Sequence, residues 1–149
     1  MPDIIVREMD KKDTEAVFLI EEQCFNRPWS AKGFAESALR EDTVFLVAEK
    51  EGEILGYAGM YISFDEAEIE RVGVDPGKRR MGIAGRIIGE MNKIAAEKGI
   101  LSIILEVRRS NEAAIGLYKK YGFKDIGIRK NFYDLPREDA VIMKRIVEC

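Results

Sequence analysis

An amphipathic helix between two strand-like segments constrains the fold of this chain more than any other feature. Residues 68–74 before the helix alternate polar and apolar side chains, and residues 101–107 after it form an apolar run. Lys98-Gly99 supplies a basic last turn with a glycine stop. Six apolar residues recur at the spacing of one helical face: Ile83, Ile87, Ile88, Met91, Ile94 and Ala95. This pattern predicts a helix packed on a sheet.

The rest of the chain predicts further strands and helices without a linker between them. Helices are expected to begin at Asp13 or Thr14, at Ser30 and near Asn111, because these residues are good N-caps. Because strands and helices are interspersed, the predicted fold class is a mixed α/β or α+β sheet with helices on its faces. The length of 149 residues predicts a single domain, 1–149. Further strands are expected at 4–6, 44–48, 54–62, 123–128 and 140–146.

The sequence contains no histidine, and this excludes several common active sites. A Ser-His-Asp triad, a Cys-His pair and a zinc site with histidine ligands all require that residue. The usual general base at neutral pH is also missing. Any proton chemistry must therefore fall to Asp, Glu, Tyr, Lys, Cys or water.

The net charge and the cysteine content limit the expected classes of binding partner and the expected cellular compartment. A net charge of -3 disfavours a general binder of nucleic acid or of anionic membranes. Cys24 and Cys149 do not make a disulfide framework, so a reducing cytoplasm is the expected compartment. The longest uncharged apolar stretch, 54–62, is less than half of the roughly 20 residues that span a bilayer. We therefore expect a soluble protein, and no cluster of residues predicts a metal site.

The segment 72–86 is the most informative for chemistry. It runs from a strand through Asp75-Pro76-Gly77 into the amphipathic helix, with small residues at Gly82, Ala84 and Gly85 where the helix begins. Free N–H groups and the positive end of the helix dipole meet there, so a diphosphate could approach the main chain. The pattern matches neither the Walker motif nor the dinucleotide fingerprint. From spacing alone, a tight turn with a solvated basic edge remains an alternative.

Glu106 interrupts the apolar run 101–107. Burial at the end of a central strand would raise the pKa of this carboxyl toward the range useful to a general base near neutral pH. A strand-end glutamate that reaches solvent beside Arg108 and Arg109 is the alternative interpretation.

Asn111 and Tyr118 form a third candidate group. Asn111 is a plausible helix cap, and Tyr118 shares a helical face with Tyr121. Both tyrosines could pack in the core, or one phenol could face a cleft as a proton donor. The spacing does not decide between them.

Taken together, these segments resemble the GCN5-related N-acetyltransferases. The stretch from Arg79 to Ala84 resembles the Gln/Arg-x-x-Gly-x-Gly/Ala loop of that superfamily, between the expected strand and helix. Asn111 followed by Leu117-Tyr118 and Gly122-Phe123 resembles its second hallmark. Within the superfamily, the chain is similar to the RimI-type ribosomal-protein-alanine N-acetyltransferases. The segments that carry this similarity include Pro28-Trp29-Ser30, Leu105-Glu106-Val107-Arg108, Arg129-Lys130-Asn131-Phe132-Tyr133 and Arg137-Glu138-Asp139-Ala140.

The resemblance implies a mostly antiparallel sheet with a splayed parallel strand pair, and acetyl-CoA as the acetyl donor. It assigns Glu106 as general base and Tyr118 as general acid. The implied acceptor is the N-terminal amine of a protein, with the N-terminal alanine of ribosomal protein S18 as the expected target. Lysine or small-amine acetylation, and a non-catalytic acyl-CoA sensor, remain alternatives. The implied cofactor contacts are Val72, Gly73, Val74, Arg79, Arg80, Met81, Gly82, Ile83, Ala84, Gly85 and Asn111.

Overall fold

Seven strands form one sheet in the computed structural model, which describes residues 3–79 and 81–147. The strands are β1 Ile5–Glu8, β2 Thr43–Lys50, β3 Glu53–Ser63, β4 Glu66–Val74, β5 Ser102–Arg108, β6 Lys124–Tyr133 and β7 Glu138–Ile146. The helices are α1 Thr14–Cys24, α2 Ala31–Ala38, α3 Ile83–Glu97 and α4 Glu112–Lys120. Each predicted strand and helix is present, with bounds that differ by a few residues at most ends.

The strand order across the sheet is β1-β2-β3-β4-β5-β7-β6. Of these neighbours, β4 and β5 are parallel and the other pairs are antiparallel. The parallel pair arises because α3 crosses over the sheet between β4 and β5, whereas tight turns join β2 to β3 and β3 to β4. This arrangement confirms the predicted fold class of a mixed, mostly antiparallel sheet.

Helices cover both faces of the sheet and enclose two apolar cores. On one face, α3 packs across β2, β3 and β4, and its buried residues join those of β5 and β7 in the larger core. On the other face, α1 and α2 pack on β2, β3 and β4 around Phe34, Phe45 and Tyr57. No helix in residues 3–79 and 81–147 is long and apolar enough to cross a membrane.

The pairing between β4 and β5 stops before either strand ends. Its last pair is Ile69 with Leu105, whereas β4 continues beside β3 as far as Val74. A bulge at Glu70, between the pairs Gly59–Arg71 and Met60–Ile69, changes the direction of β4 at this point. The two parallel strands therefore separate, and a gap opens in the middle of the sheet.

Strand β6 is longer and less regular than the predicted strand 123–128. Three residues between Arg129 and Tyr133 face a single residue of β7, and Asn131 adopts a φ of 54°. The backbone N–H of Asn131 donates a hydrogen bond to Asp139 Oδ1 at 2.9 Å, which holds this bulge in place. A residue pattern with period two does not report such an insertion, and the prediction therefore ended too early.

Candidate functional site

A cavity of about 1090 Å³ occupies the gap between β4 and β5. Its helix arm lies toward α3 and α4, and its open arm lies on the opposite face beside the α1–α2 connection. The helix arm is lined by Val72, Gly73, Val74, Gly82, Ile83, Ala84, Gly85, Asn111 and Tyr118. Arg79 also lines the cavity, and its Nη2 lies 3.6 Å from Cys24 Sγ at the end of α1. The open arm is lined by residues that include Glu68, Arg71, Glu106, Arg108, Phe132 and Tyr133.

The predicted site residues line this cavity, with two exceptions. Met81 is 42% exposed and is not among the lining residues. Arg80 lies outside the described residues. Separate parts of the sequence, 72–85, Glu106 and 111–118, thus line one cavity.

The first turn of α3 presents main-chain N–H groups to the helix arm. Gly82 precedes the helix with a φ of 73°, a left-handed conformation that a side chain disfavours. The N–H groups of Ile83, Ala84 and Gly85 have no intrahelical acceptor, because they belong to the first helical turn. A Cβ on Gly85 would lie 2.8 Å from the Tyr121 hydroxyl, so any side chain here would require the Tyr121 ring to shift. These features make the start of α3 suitable for binding a diphosphate.

The end of β4 presents its main chain to the same arm. The N–H of Asp75 donates to the carbonyl of Leu55 on β3 at 2.9 Å. Because successive N–H groups of a strand point to opposite sides, the N–H of Val74 points away from β3, into the gap. On the same side, the Val74 carbonyl accepts a hydrogen bond from Cys24 Sγ at 3.4 Å. The gap therefore contains an N–H donor beside the strand separation.

Asn111 lies where α4 begins. Its Oδ1 accepts a hydrogen bond from the backbone N–H of Ala114 at 3.2 Å, as predicted for a helix cap. The residue before it, Ser110, donates its N–H to Glu138 Oε2 at 2.6 Å. Glu138 Oε1 also lies 3.3 Å from Arg108 Nη1. Glu138 therefore links Ser110, just before α4, to Arg108 in the open arm.

Glu106 projects from β5 into the open arm. Its side chain is 15% exposed, and Arg129 Nη1 lies 3.5 Å from its Oε2. Burial raises the pKa of Glu106 above its usual value, Arg129 lowers it, and Glu68 raises it further. The side chain is neither fully buried nor directed away into solvent, so it can exchange a proton with a group in the cavity.

Tyr118 projects from α4 and is 7% exposed. Its ring packs edge-on against Phe123, with 5.8 Å between centroids. Burial raises the pKa of Tyr118 to about 12, with a smaller contribution from Tyr133. The phenol therefore stays protonated near neutral pH and can donate a hydrogen bond into the cavity.

The sequence analysis placed Arg129 and Tyr133 in a segment that carries the family resemblance, but it gave neither residue a role in the site. Burial raises the pKa of Tyr133 to about 12, and the charge of Glu106 adds to this shift. The Arg108 guanidinium lies over the Tyr133 ring at 4.5 Å from its centroid. Both missed residues flank the bulge of β6, and no spacing in the sequence indicates that this bulge approaches β5.

Arg71 is a further residue that the sequence did not indicate. Its guanidinium lies 4.5 Å from the Phe25 ring centroid and 4.8 Å from that of Trp29. Its Nε is 3.3 Å from the fully buried carboxylate of Glu21, which also accepts a hydrogen bond from the Tyr57 hydroxyl. These contacts hold the Arg71 side chain in place in the wall of the open arm, next to the bulge in β4.

Comparison with known proteins identifies the family. A family model described as the acetyltransferase (GNAT) family matches residues 14–123, from α1 to the residue before β6. The chain belongs to the GNAT family. The match includes the separated strands β4 and β5 and both helices of the helix arm, and it confirms the predicted family.

Two relatives narrow the similarity within the GNAT family. A Bacillus subtilis (strain 168) protein is 37% identical over 139 residues, which is 93% of this chain and 92% of that protein. It is named, provisionally, a ribosomal protein bS18-alanine N-acetyltransferase. The crystal structure of the ribosomal-protein-S18-alanine N-acetyltransferase from Escherichia coli has a TM-score of 0.90 at 30% identity. That comparison covers 99% of this chain and 96% of the other.

As a GNAT, the chain is an acetyl-CoA-dependent N-acetyltransferase, as predicted. The paiA N-acetyltransferase of Thermoplasma acidophilum, solved in complex with coenzyme A, shares the fold with a TM-score of 0.80 at 21% identity. That comparison covers 97% of this chain and 99% of the other. Across residues 3–79 and 81–147, no group of three or more His, Cys, Asp or Glu side chains could hold a metal ion.

Proposed function

We propose that this GNAT transfers acetyl from acetyl-CoA to the N-terminal amine of a protein, with the N-terminal alanine of ribosomal protein S18 as its target. Glu106 acts as general base and Tyr118 as general acid. The relatives named for this activity support the choice of acceptor. We further propose a cytoplasmic enzyme of one domain whose partner is the N-terminal segment of its substrate, without nucleic acid or membrane.

One observation carries the proposal: a single cavity joins the start of α3 to Glu106 through the gap between β4 and β5. A donor bound along the helix arm would bring its thioester to the point where the two arms meet. An amine entering by the open arm would reach that point from the side of Glu106. The two substrates can therefore meet without crossing the same opening.

The donor is bound mainly by main-chain groups. Its diphosphate accepts hydrogen bonds from N–H groups of residues 82–85, where the helix dipole also favours negative charge. The pantetheine lies along residues 72–74, where β5 has left the polar groups of β4 without a strand partner. Arg79, Arg80, Met81 and Asn111 complete the proposed contacts. When the amine attacks, the carbonyl oxygen of the thioester becomes an oxyanion, and the N–H of Val74 is the proposed hydrogen-bond donor to that oxygen.

In the reaction, the amine nitrogen attacks the acetyl carbonyl carbon, a C–N bond forms, and the C–S bond of the thioester breaks. The amine proton passes to Glu106, directly or through a water. An α-amine has a pKa near 8 against about 10.4 for lysine, so its deprotonation at neutral pH costs about 3 kcal/mol less. A carboxylate is thus an adequate base, and no histidine is needed.

Tyr118 stabilises the leaving thiolate. With a pKa of about 12, the phenol is the protonated partner at every physiological pH. Complete proton transfer to a thiolate whose acid has a pKa near 8.5 costs about 5 kcal/mol. Tyr118 therefore acts first as a hydrogen-bond donor to sulfur. If its proton does pass to sulfur, it leaves with the CoA thiol, and the phenolate takes a new proton from water.

An acetylation screen tests the proposal. We expect CoA release with a peptide that copies the start of ribosomal protein S18, and little release when its N-terminal amine is blocked and one internal lysine remains. Activity confined to polyamines or to the lysine peptide would contradict the proposed acceptor. If the protein binds CoA but does not release CoA from acetyl-CoA with any of the amines, the result would favour the sensor alternative.

A further inference from the structure

Arg129 lies beside Glu106 but belongs to a different strand. Its Nη1 is 3.5 Å from Glu106 Oε2, and it is the cation whose charge lowers the pKa of that carboxyl. Arg129 therefore touches the group that the proposed function assigns as base. Its charge has the same sign as that of a protonated amine.

The bulge of β6 fixes where Arg129 lies. Arg129 pairs with Ala140 of β7, which also pairs with Arg108 at the end of β5. The residues after Arg129 loop out, with Asn131 held by Asp139 Oδ1, before pairing resumes at Tyr133. The contact with Glu106 is thus a product of the fold rather than of local sequence.

The two side chains of the ion pair differ in exposure, and this difference allows the pair to separate. The Arg129 side chain is 57% exposed, whereas that of Glu106 is 15% exposed. An exposed guanidinium gains little from such a pair because water and salt screen it. Arg129 also lies over the Phe132 ring, 5.2 Å from its centroid, and this contact can retain the guanidinium when it leaves the carboxylate.

We propose that Arg129 is a positioning and specificity residue that favours neutral over protonated amines at Glu106. While Arg129 neutralises the carboxylate, an ammonium gains little by approaching it and is repelled by the guanidinium. A neutral amine carries no charge, so it is not repelled by the guanidinium and loses nothing when the carboxylate is neutralised. This inference rests on the proposed function, and it predicts selection of α-amines, which are partly neutral at pH 7.5, over lysine side chains, which are almost entirely protonated.

The other charged and titratable groups near Glu106 do not replace Arg129. Glu68 on β4 is negative and would attract an ammonium. Tyr133 on β6 stays neutral because burial raises its pKa to about 12. Arg108, on the same strand as Glu106, pairs with Glu138 and lies over the Tyr133 ring. Arg129 is therefore the cation that sets the charge at the base.

The test compares Arg129→Gln, Arg129→Lys and Lys130→Gln. The last variant removes one positive charge from the neighbouring residue, which is exposed, and serves as the matched control. We measure kcat and KM with two peptides, one with a free N-terminal alanine and one with a blocked N-terminus and a single lysine. In Arg129→Gln, the ratio of lysine to α-amine kcat/KM is expected to rise about threefold to fivefold, mainly through KM for lysine. Arg129→Lys and Lys130→Gln should keep the wild-type ratio.

A second readout does not depend on turnover. Carbon NMR of the side-chain carboxyl, assigned with Glu106→Gln, measures the pKa of Glu106 in each variant. Removing Arg129 should raise this pKa, and removing Lys130 should leave it unchanged. An unchanged ratio or an unchanged pKa in Arg129→Gln would overturn the inference while the proposed function stands. If the wild type acts on neither peptide, the proposed function fails, and the selectivity inference fails with it.

Discussion

The two arms of the cavity differ in the chemical groups that line them. Apart from Asn111 and Tyr118 on α4, the helix arm is lined by residues that are nearly consecutive in sequence, from Val72 to Gly85, and it presents main-chain N–H groups and small side chains. The open arm consists of charged and aromatic side chains from three separate strands, β4, β5 and β6, beside the α1–α2 connection. One arm is defined by where the backbone runs, and the other by which side chains meet.

This difference predicts how each arm responds to change. Main-chain donors tolerate many side-chain substitutions but not an added Cβ where the backbone must be approached or adopts a positive φ. Side-chain sites lose their chemistry when one functional group is replaced. We therefore expect variants of the functional side chains, Glu106 in the open arm and Tyr118 in the helix arm, to change turnover or specificity. Variants of the small residues at the start of α3 should change cofactor affinity.

The largest expected effect is on turnover in Glu106→Gln. Loss of the base should lower kcat by about 10² to 10⁴ while CoA affinity stays unchanged. CoA release and calorimetric titration with CoA measure the two quantities. Glu36→Gln, at an exposed position of α2, is the control and should match the wild type. Weakened CoA binding in Glu106→Gln would show that the two arms are not separable.

The next effect is on the leaving group in Tyr118→Phe. We expect kcat to fall by about 10², at the lower end of the range for proton donors, with CoA affinity retained. Because burial raises the pKa of Tyr118 to about 12, the phenol keeps its proton as pH rises, and kcat should not decline between pH 8 and pH 10. Tyr61→Phe is the control. A decline with a midpoint near pH 9 would contradict this role for Tyr118.

A smaller effect is expected on the helix arm in Gly82→Val. A β-branched side chain at a φ of 73° is strained by about 1–2 kcal/mol, and it blocks the approach to the first turn of α3. CoA should bind about tenfold more weakly, whereas kcat at saturating acetyl-CoA should change little. Gly99→Val, also at a positive φ but at the end of α3, controls for strain alone. Equal CoA affinity in both variants would remove the start of α3 from the site.

The smallest effect is expected where the two arms are joined, in Glu138→Gln. Hydrogen bonds from Ser110, and then Arg108, hold the pKa of Glu138 below its usual value. A lowered folded-state pKa means that the carboxylate stabilises the fold above the unfolded pKa and loses this contribution as pH falls through the folded value. The variant should therefore lower Tm at pH 7 and have less effect at pH 3.5, with kcat/KM reduced a few-fold. The same Tm difference at both pH values would contradict the account.

The sequence predicted the helix arm better than the open arm for a physical reason. The strand, turn, glycine and helix of the helix arm follow one another, so their local conformational preferences can be read from one segment. Glu106 was found because a carboxylate interrupts an apolar strand. Arg129 and Tyr133 lie in a segment that carries the family resemblance, but no local pattern placed them beside Glu106, because their approach depends on the bulge in β6 and on the placement of β7 between β5 and β6.

By itself, the sequence determined the order of strands and helices, the small residues at the start of α3 and the absence of histidine chemistry. These properties follow from local periodicity, capping and composition. The tertiary structure decided where β4 and β5 separate, which face each charged residue occupies and which cation lies beside Glu106. These depend on register and on contacts between residues more than twenty positions apart, such as Glu106 and Arg129, and no local pattern contains that information.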